Sequence, residues 1–384
     1  MSNLLEKASI ILTPTAYNTS EVLCVKPSDG SGDFDFSRAT DATRINSLGL
    51  IETIGINLPR INYEAGCGSW LWEPQSTNSV FQSNLLNPVS GGVVTPNAAI
   101  SPDGTTNAIK VNFSTGVNSG CLIYIGGSSA AASTEYTFSF YAKNFSGDGK
   151  FRLRLDTDTQ ATLVNEDFTA TSDWVRYTHT FTTDAAASSF GSGTRFRKFT
   201  NNNEVLFFGM QLEQQSYATS YIPTDGSTVT SNQDLCTNGG SLASINSTEG
   251  VLYAEIAALA NDGTTRYISL SDGSNANDIR LYFNTNGNIS VLSKVGGSTQ
   301  SFINSNAYTQ TDFNKVAFKY KENDFALWIN GVEAGTDTSG ITATTGTLNE
   351  LAFFGNNLPF YGKTKCLAVF PYLTDAELTA LTTI

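Results

Sequence analysis

One histidine, His179, is the only imidazole in 384 residues. Any acid–base or thiol chemistry that needs an imidazole must be built on it. The residues sharing its strand face, Val175, Tyr177 and Phe181, are apolar, so a core or interface role is expected for His179. No G-x-S-x-G offers a serine nucleophile on a sharp turn. Glycoside hydrolysis needs two carboxyl groups flanking a cleft. An E-x-D-x-E or E-x-D-x-x-E strand could supply them, and neither occurs. Glu322 and Asp324 flank a turn, Glu204 and Glu213 close opposite ends of an apolar strand, and Glu166 and Asp167 are adjacent and point apart. No catalytic residue is expected, and the chain is read as a non-enzyme.

Metal chemistry is equally thin. The five cysteines, Cys24, Cys67, Cys121, Cys236 and Cys366, are odd in number, far apart and without a C-x-x-C. A structural zinc site is therefore not expected, and the thiols are read as reduced and buried. Hard oxygen ligands are more plentiful, so calcium is the one ion the residue types suit. Asp29, Asp33 and Asp35 form one acidic loop, Asp156 and Asp158 a second, Asp272 and Asp278 a third. Asx-turns that cap loop backbone are the competing role for each. No cofactor is expected. Sugars are held by aromatic faces and planar polar groups, and the tryptophans are Trp70, Trp72, Trp174 and Trp328. Trp174 and Trp328 lie opposite the apolar rows of their strands, where they can pack against a neighbour or stand exposed. Trp70 and Trp72 can anchor the irregular N-terminal segment by burial. The sequence names no metal-ligand set and no carbohydrate-binding residue.

Bulk properties set the frame for these residues. Hydrophobic side chains make up 40% and charged ones only 15%, against a usual quarter. Asn, Ser, Thr and Gly fill the difference, a composition suited to strands and turns. The net charge is −13 and the pI about 4.5. A nucleic-acid partner needs a basic footprint, which is missing. No apolar run approaches a membrane span. The start, MSNLLEKASIILTP, has no cationic opening and no cleavage-like box, so no signal peptide is expected.

The elements follow from alternation. Tyr136, Phe138 and Phe140, then Phe151, Leu153 and Leu155, then Val175, Tyr177, His179 and Phe181 alternate with polar residues. Val205–Met210 is apolar on both faces, as in a central strand. Further strands are expected at Tyr267–Ser271, Ile279–Asn284, Ile289–Lys294, Lys315–Tyr320, Phe325–Asn330, Leu351–Gly355 and Cys366–Phe370. Asn330-Gly331 suits a type I′ hairpin turn, which needs positive φ at both central residues. Tyr253–Ala260 (YAEIAALA) is rich in helix formers. Leu252, Ala254, Ile256 and Ala258 also alternate, and a strand is the reading adopted. Ser47-Leu48-Gly49 can reverse two short strands, Arg44–Asn46 and Leu50–Glu52. Thr374 and Glu377 form a capping box that opens a short terminal helix through about Leu381.

Several strings carry a resemblance. Phe36–Thr40 (FSRAT), Thr43-Arg44, Gly49–Glu52, Pro59-Arg60, Glu73–Gln75 and Thr77-Asn78 resemble a module at the start of bacteriophage fibre-like proteins. The YTFSFYAK, FRLRL and DWVRYTHTFT strands, with the ending Gly209–Thr224, resemble a carbohydrate-binding-module-like jelly roll. KENDFALWINGVEAGTDTSG and the final FYGKTKCLAVF with LTDAEL resemble a laminin-G/concanavalin A-like lectin sandwich of virion proteins. That module also opens with a strand at the YAEIAALA position.

The expected fold is all-β, with two β-sandwich (jelly-roll) domains after an irregular N-terminal module, and a short C-terminal helix. The expected divisions are 1–80 for attachment or oligomerisation, 81–230 for the jelly roll, 231–247 as linker and 248–384 for the lectin-like sandwich. The resemblance implies a phage virion structural protein, a tail or head fibre, spike or collar component that contributes to host-surface glycan attachment. A free carbohydrate-binding lectin is the alternative, and a polysaccharide depolymerase is a third reading. Implied partners are other virion proteins, further copies of the chain with a trimer favoured, and host glycan, with neither nucleic acid nor membrane insertion. The implied location is the virion, after folding in host cytoplasm and release by lysis.

Overall fold

A computed structural model describes residues 2–113, 119–125, 127–160, 162–199 and 203–384. Among them the only helices are Ser2–Leu5 and Asp375–Thr382. No helix among them is long and apolar enough to cross a membrane. The chain divides into two units. The first holds Met1–Thr40, Ile54–Pro74 and Gln233–Ile384, and the second holds Asp41–Thr53 and Gln75–Asn232.

The first unit packs two large antiparallel sheets around one apolar cluster and also holds a small four-stranded sheet. In one sheet Glu249–Ala258 lies between Asn314–Lys321 and Gly362–Phe370, with the Phe325–Ile329 and Val332–Asp337 hairpin beyond. The other sheet runs Ser298–Ala307, Asn288–Val295, Asp278–Phe283, Arg266–Ser271 and Glu350–Ala352. Leu252, Ile256, Phe318 and Leu327 from the first meet Leu270, Leu281 and Val291 from the second.

The helix-rich YAEIAALA composition is overridden because this strand is hydrogen-bonded on both edges and buried on both faces. Its outer face is covered by the C-terminal helix. There Val251, Tyr253, Ala317 and Trp328 pack with Leu373, Leu378 and Leu381. The capping box forms as expected, Thr374 with Glu377. Asn330 and Gly331 have φ of 52° and 85°, the left-handed pair a type I′ turn requires.

Residues 1–80, expected as a module of their own, are shared between the two units. Ile10–Leu12 and Cys67–Trp72 both pair with Gly362–Phe370. Phe34–Ser37 pairs with Leu235–Thr237, so part of the expected 231–247 linker is a strand. Val229–Ser231 pairs with Ser76–Asn78 in the second unit. Strands this short show little local periodicity, and their backbone groups find partners far along the chain. The hairpin around Gly49 forms, displaced by a residue or two, as Ala42–Ile45 and Ile51–Ile54.

The quoted N-terminal strings owe their residue types to burial. Arg38 of FSRAT, Arg60 of the Pro-Arg pair and Glu73 of EPQ converge on Asp234 inside the first unit. Arg38 Nη1 donates to Asp234 Oδ1 at 3.0 Å, Arg60 Nη1 to Glu73 Oε2 at 2.7 Å, and Arg60 Nη2 to Asp234 Oδ2 at 2.5 Å. The Glu73 amide adds 2.8 Å to Asp234 Oδ2. Two cations and two anions are thus enclosed with their charges balanced. Burial works against the Arg60 charge, but Asp234 and Glu73 outweigh it and hold the guanidinium above its ordinary pKa.

The core of the second unit lies between two five-stranded sheets. One is ordered Leu86–Val89, Gly120–Ile123, Arg195–Lys198, Lys150–Leu155, Val164–Thr169. The other is ordered Val93–Ala99, Ala108–Asn112, Glu204–Glu213, Glu135–Ser146, Val175–Thr182. Aromatic rings fill the space between them, with Phe196 stacked on Phe207 at 4.3 Å. Buried Asn78 donates to the Met210 and Ile222 carbonyls and accepts from the Val80 and Leu212 amides. Gln211 takes the Ile222 amide at 2.6 Å, and Glu213 takes the Thr219 amide at 3.1 Å. The Gly209–Thr224 string is therefore a segment tied back on its own strand.

Candidate functional site

The residues singled out for chemistry are mostly structural. His179 is half-buried and faces the core side, with Phe181 stacked beside it at 6.3 Å. Glu204 pairs with Lys110 at 3.2 Å. Glu213 at the other end of that strand is enclosed, and burial raises its carboxyl above the usual range despite bonds from Gln211, Ser76 and Thr219. Asp324 pairs with Lys319, and Asp167 with Arg152. Glu166 opposes Leu153 in the ladder while Asp167 opposes Arg152, so the two acids occupy successive, oppositely facing positions.

The acidic side chains of the loops are held by backbone amides and polar side chains. Asp29 takes the Ser31 amide and hydroxyl, and Asp33 takes the Cys24 amide at 2.7 Å. Asp35 takes Asn238 Nδ2 at 2.9 Å. Asp158 takes the Ser188 hydroxyl and the Ser188 and Ser189 amides, which lower its pKa to about 2. Asp156 is paired with Arg154 at 2.7 Å. No group of three or more His, Cys, Asp or Glu suited to a metal occurs among the described residues.

Trp70 and Trp72 are fully buried, stacked at 5.8 Å within the core of the first unit. Trp328 is buried under the C-terminal helix. Trp174 is half-buried over Phe208 and Tyr221 and donates to the Ile100 carbonyl at 3.1 Å. All five cysteines are free. Cys24, Cys121 and Cys236 are buried, and burial pushes the Cys24 thiol up to about 12. Cys67 departs from the expectation and is exposed, because it sits next to the hairpin turn at Ala65-Gly66.

What the sequence did not single out is the polar face of the second sheet in the first unit. Along Arg266–Ser271, Ile268 and Leu270 turn to the core, so Tyr267, Ser269 and Ser271 face the other way. Ladder register sets their neighbours. Tyr282 stands opposite Tyr267, Arg280 opposite Ser269, and both Asp278 and Glu350 opposite Ser271. Those two carboxylates straddle Ser271 with backbones about 9–10 Å apart, two strand spacings.

A cavity of about 250 Å³ opens over this face, lined among others by Ser269, Ser271, Asn275, Asp278, Glu350 and Phe354. The Phe354–Gly355 strand passes close overhead. A Cβ on Gly355 would come within 3.0 Å of Tyr267 Cβ, so glycine permits that approach. Beside the cavity, the Tyr267 and Tyr282 rings lie 4.8 Å apart, with the Arg280 guanidinium 5.6 Å from the Tyr267 ring.

Charge is unevenly satisfied here. Asp278 is 2% exposed and its Oδ2 is paired with Arg280. Its Oδ1 is buried without a hydrogen-bond partner, as is Arg280 Nε. Burial raises the Asp278 pKa, with Arg280 opposing the shift. Glu350 is half-buried at the cavity wall, its Oε1 taking the Asn238 amide at 3.1 Å. Asp272 is held by Ser274 and Asn277 and takes no part in the lining. A buried acceptor with no donor is costly. Only the alternation in RYISLS and DIRLYF hinted at this face; its pairing with Glu350 has no local signal.

The second unit has a larger cleft of about 560 Å³ lined by uncharged groups, including Gln75, Phe81, Tyr136, Gln214 and Gln215. Among the described residues, no polar atom of that lining is buried and unpartnered.

No curated protein matches the chain. Among solved structures, a CBM40 of a Ruminococcus gnavus IT-sialidase bound to α2,3 sialyllactose has 19% identity and a TM-score of 0.30, covering 36% of this chain and 83% of its own. A heptameric SAP-like pentraxin from Limulus polyphemus has 15% identity and a TM-score of 0.32, covering 38% and 74%. Domain 4 of AbnA, a Geobacillus stearothermophilus arabinanase, in complex with arabinotriose, has 17% identity and a TM-score of 0.33, covering 44% and 84%. Residues 243–378 match the third laminin-G family, described as the concanavalin A-like lectin/glucanases superfamily, and so mark a lectin-like domain in the first unit.

Proposed function

We propose that the protein binds glycan through the cavity over Ser271, as a structural component of a bacteriophage virion that contributes to host-surface attachment. The observation that carries glycan binding is the polar cavity lined by Ser269, Ser271, Asn275, Asp278 and Glu350, beside two tyrosine rings, on a lectin-like domain. Sugars present hydroxyl donors to such acceptors and a ring face to such aromatics. The virion role rests on the resemblance of FSRAT, EPQSTN and the Gly209–Thr224 ending to phage fibre-like proteins. Their buried polar roles make these strings marks of kinship in fold, and attachment falls to the exposed face of the sheet.

We also propose that the protein acts in several copies, a trimer being favoured, since multivalency raises avidity without new contacts. Trp70 and Trp72 are buried within one chain, so the proposed contact between copies does not rest on them. Partners are then other virion proteins and host glycan. The reading is of binding without turnover, because no E-x-D-x-E or E-x-D-x-x-E strand supplies paired carboxylates. The test is twofold. Gold-labelled antibody to this chain should decorate phage particles, and the purified chain should bind envelopes of the host cell. Undecorated particles refute the virion role, and absence of envelope binding refutes the glycan role.

A further inference from the structure

The net charge of −13 conceals one cationic face. In the second unit Phe151, Leu153, Leu155 and Phe196 turn to the core, so Lys150, Arg152, Arg154, Arg195 and Arg197 share the outer face of their sheet. Ladder register sets the arginines against one another: Arg152 stands opposite Arg197, and Arg154 opposite Arg195. Like charges directly opposite destabilise a sheet. Two carboxylates answer the four guanidinium groups. Asp167 forks Arg152 at 2.5 and 2.9 Å, and Asp156 forks Arg154 at 2.7 and 3.1 Å. Arg195 donates Nε to the Gly193 carbonyl at 2.8 Å and forms no ion pair among the described residues. Burial lowers the Arg197 pKa, and Arg154, Arg195 and Arg152 lower it further, with Asp156 opposing them. Glu166 opposes Leu153 and so belongs to the other face, while Asp148 takes the Lys150 amide at the start of the strand.

We propose that this face binds acidic polysaccharide, as a second glycan surface that does not depend on the cavity over Ser271. A guanidinium presents two parallel N–H donors in the geometry that a carboxylate accepts. All four arginines are half-buried, so none is sealed from a ligand. Phe199, two residues beyond Arg197, is 42% exposed and has the Arg152 guanidinium 5.1 Å from its ring. It offers a sugar ring an apolar face beside the cations. From Lys150 to Arg154 the row runs about 13 Å, which suits a chain of charges better than a single ion. An anionic chain laid along the row relieves the repulsion between the opposed arginines. Neutralising Arg195 and Arg197 should therefore remove binding without weakening the fold.

The experiment titrates the full chain at low salt with polygalacturonate, and with its methyl ester as the uncharged match. The acid form should bind at least about tenfold more tightly than the ester, and added salt should weaken it. Arg195→Gln combined with Arg197→Gln keeps aliphatic stems over the sheet and removes two charges. It should lower affinity for the acid form about tenfold or more, while the melting temperature of the second unit holds or rises. Arg195→Gln alone decides if the double variant fails to fold, and should lose about threefold. Glu350→Gln should leave polygalacturonate binding unchanged, which separates this face from the cavity. Equal binding of acid and ester, or undiminished binding in the arginine variants, overturns the proposal and leaves the cavity reading standing. Duplex DNA bound as tightly as polygalacturonate also overturns it, since the face would then take any polyanion. Loss of binding in Glu350→Gln places the polymer in the cavity and overturns it too.

Discussion

Replacing Asp234 by Asn tests whether the buried network holds the first unit together. Asp234 takes Arg38 Nη1, Arg60 Nη2 and the Glu73 amide, and its side chain is 0% exposed. Asn keeps the volume and one acceptor oxygen, but its amide group now faces a guanidinium, and one buried positive charge is left over. Removing one partner of a buried pair costs about 3–5 kcal/mol, because the remaining charge stays out of water uncompensated. A unit of this size shifts by about 2–4 °C per kcal/mol, so its melting transition should fall by roughly 6–20 °C. All four charged groups belong to the first unit. Scanning calorimetry of the full chain should therefore move that unit's transition and leave the other in place. Glu73→Gln should cost less, since Asp234 is ion-paired with both guanidinium groups and Glu73 with that of Arg60. A shift below about 2 °C for Asp234→Asn, or an equal shift of both transitions, refutes the argument.

Other outcomes follow from the same contacts. Glu213 has its folded pKa raised by burial. Folding therefore favours its protonated form, and its contribution to stability declines as pH rises above the unfolded value of 4.5. Glu213→Gln should remove that decline from the second unit's melting profile between mildly acidic and neutral pH; an unchanged profile contradicts it. Asp29, Asp158 and Asp272 are satisfied by Ser31, Ser188 and Ser274, so neither calcium nor a chelator should shift melting by more than about 1 °C, and a larger rise with calcium would show bound ion. Incubation with host polysaccharide should release no reducing ends, and sustained release lost in Glu350→Gln would make the cavity a hydrolase site.

The strands and core were legible wherever alternation was strong. Phe325–Ile329, the Asn330-Gly331 turn and the Thr374 capping box follow from local chemistry. The YAEIAALA segment shows the limit of propensity, since burial on both faces decided it. What local reading missed is long-range. Arg38, Arg60, Glu73 and Asp234 come from three separated stretches of chain, and nothing near any one of them announces the others. Short pairing strands such as Ile10–Leu12 carry too few residues to show a period. The cavity was hidden for the same reason: Asp278 and Glu350 become neighbours only because both strands pair with Ser271. Sequence proximity groups Asp278 with Asp272 as a candidate calcium loop, yet the strand turns Asp278 onto the sheet while Asp272 stays in the turn.

The central claim, that the cavity over Ser271 holds glycan, is tested most directly by one titration. Surface polysaccharide from the host is titrated into the full chain and into Glu350→Lys, with melting temperature measured on both. Glu350 is half-buried at the wall, so lysine there reverses one charge and fills the opening without touching the core. The account predicts saturable binding by the native chain, and loss of at least about tenfold in affinity in the variant at unchanged melting temperature. Equal binding by both chains, or none by the native one, would contradict it.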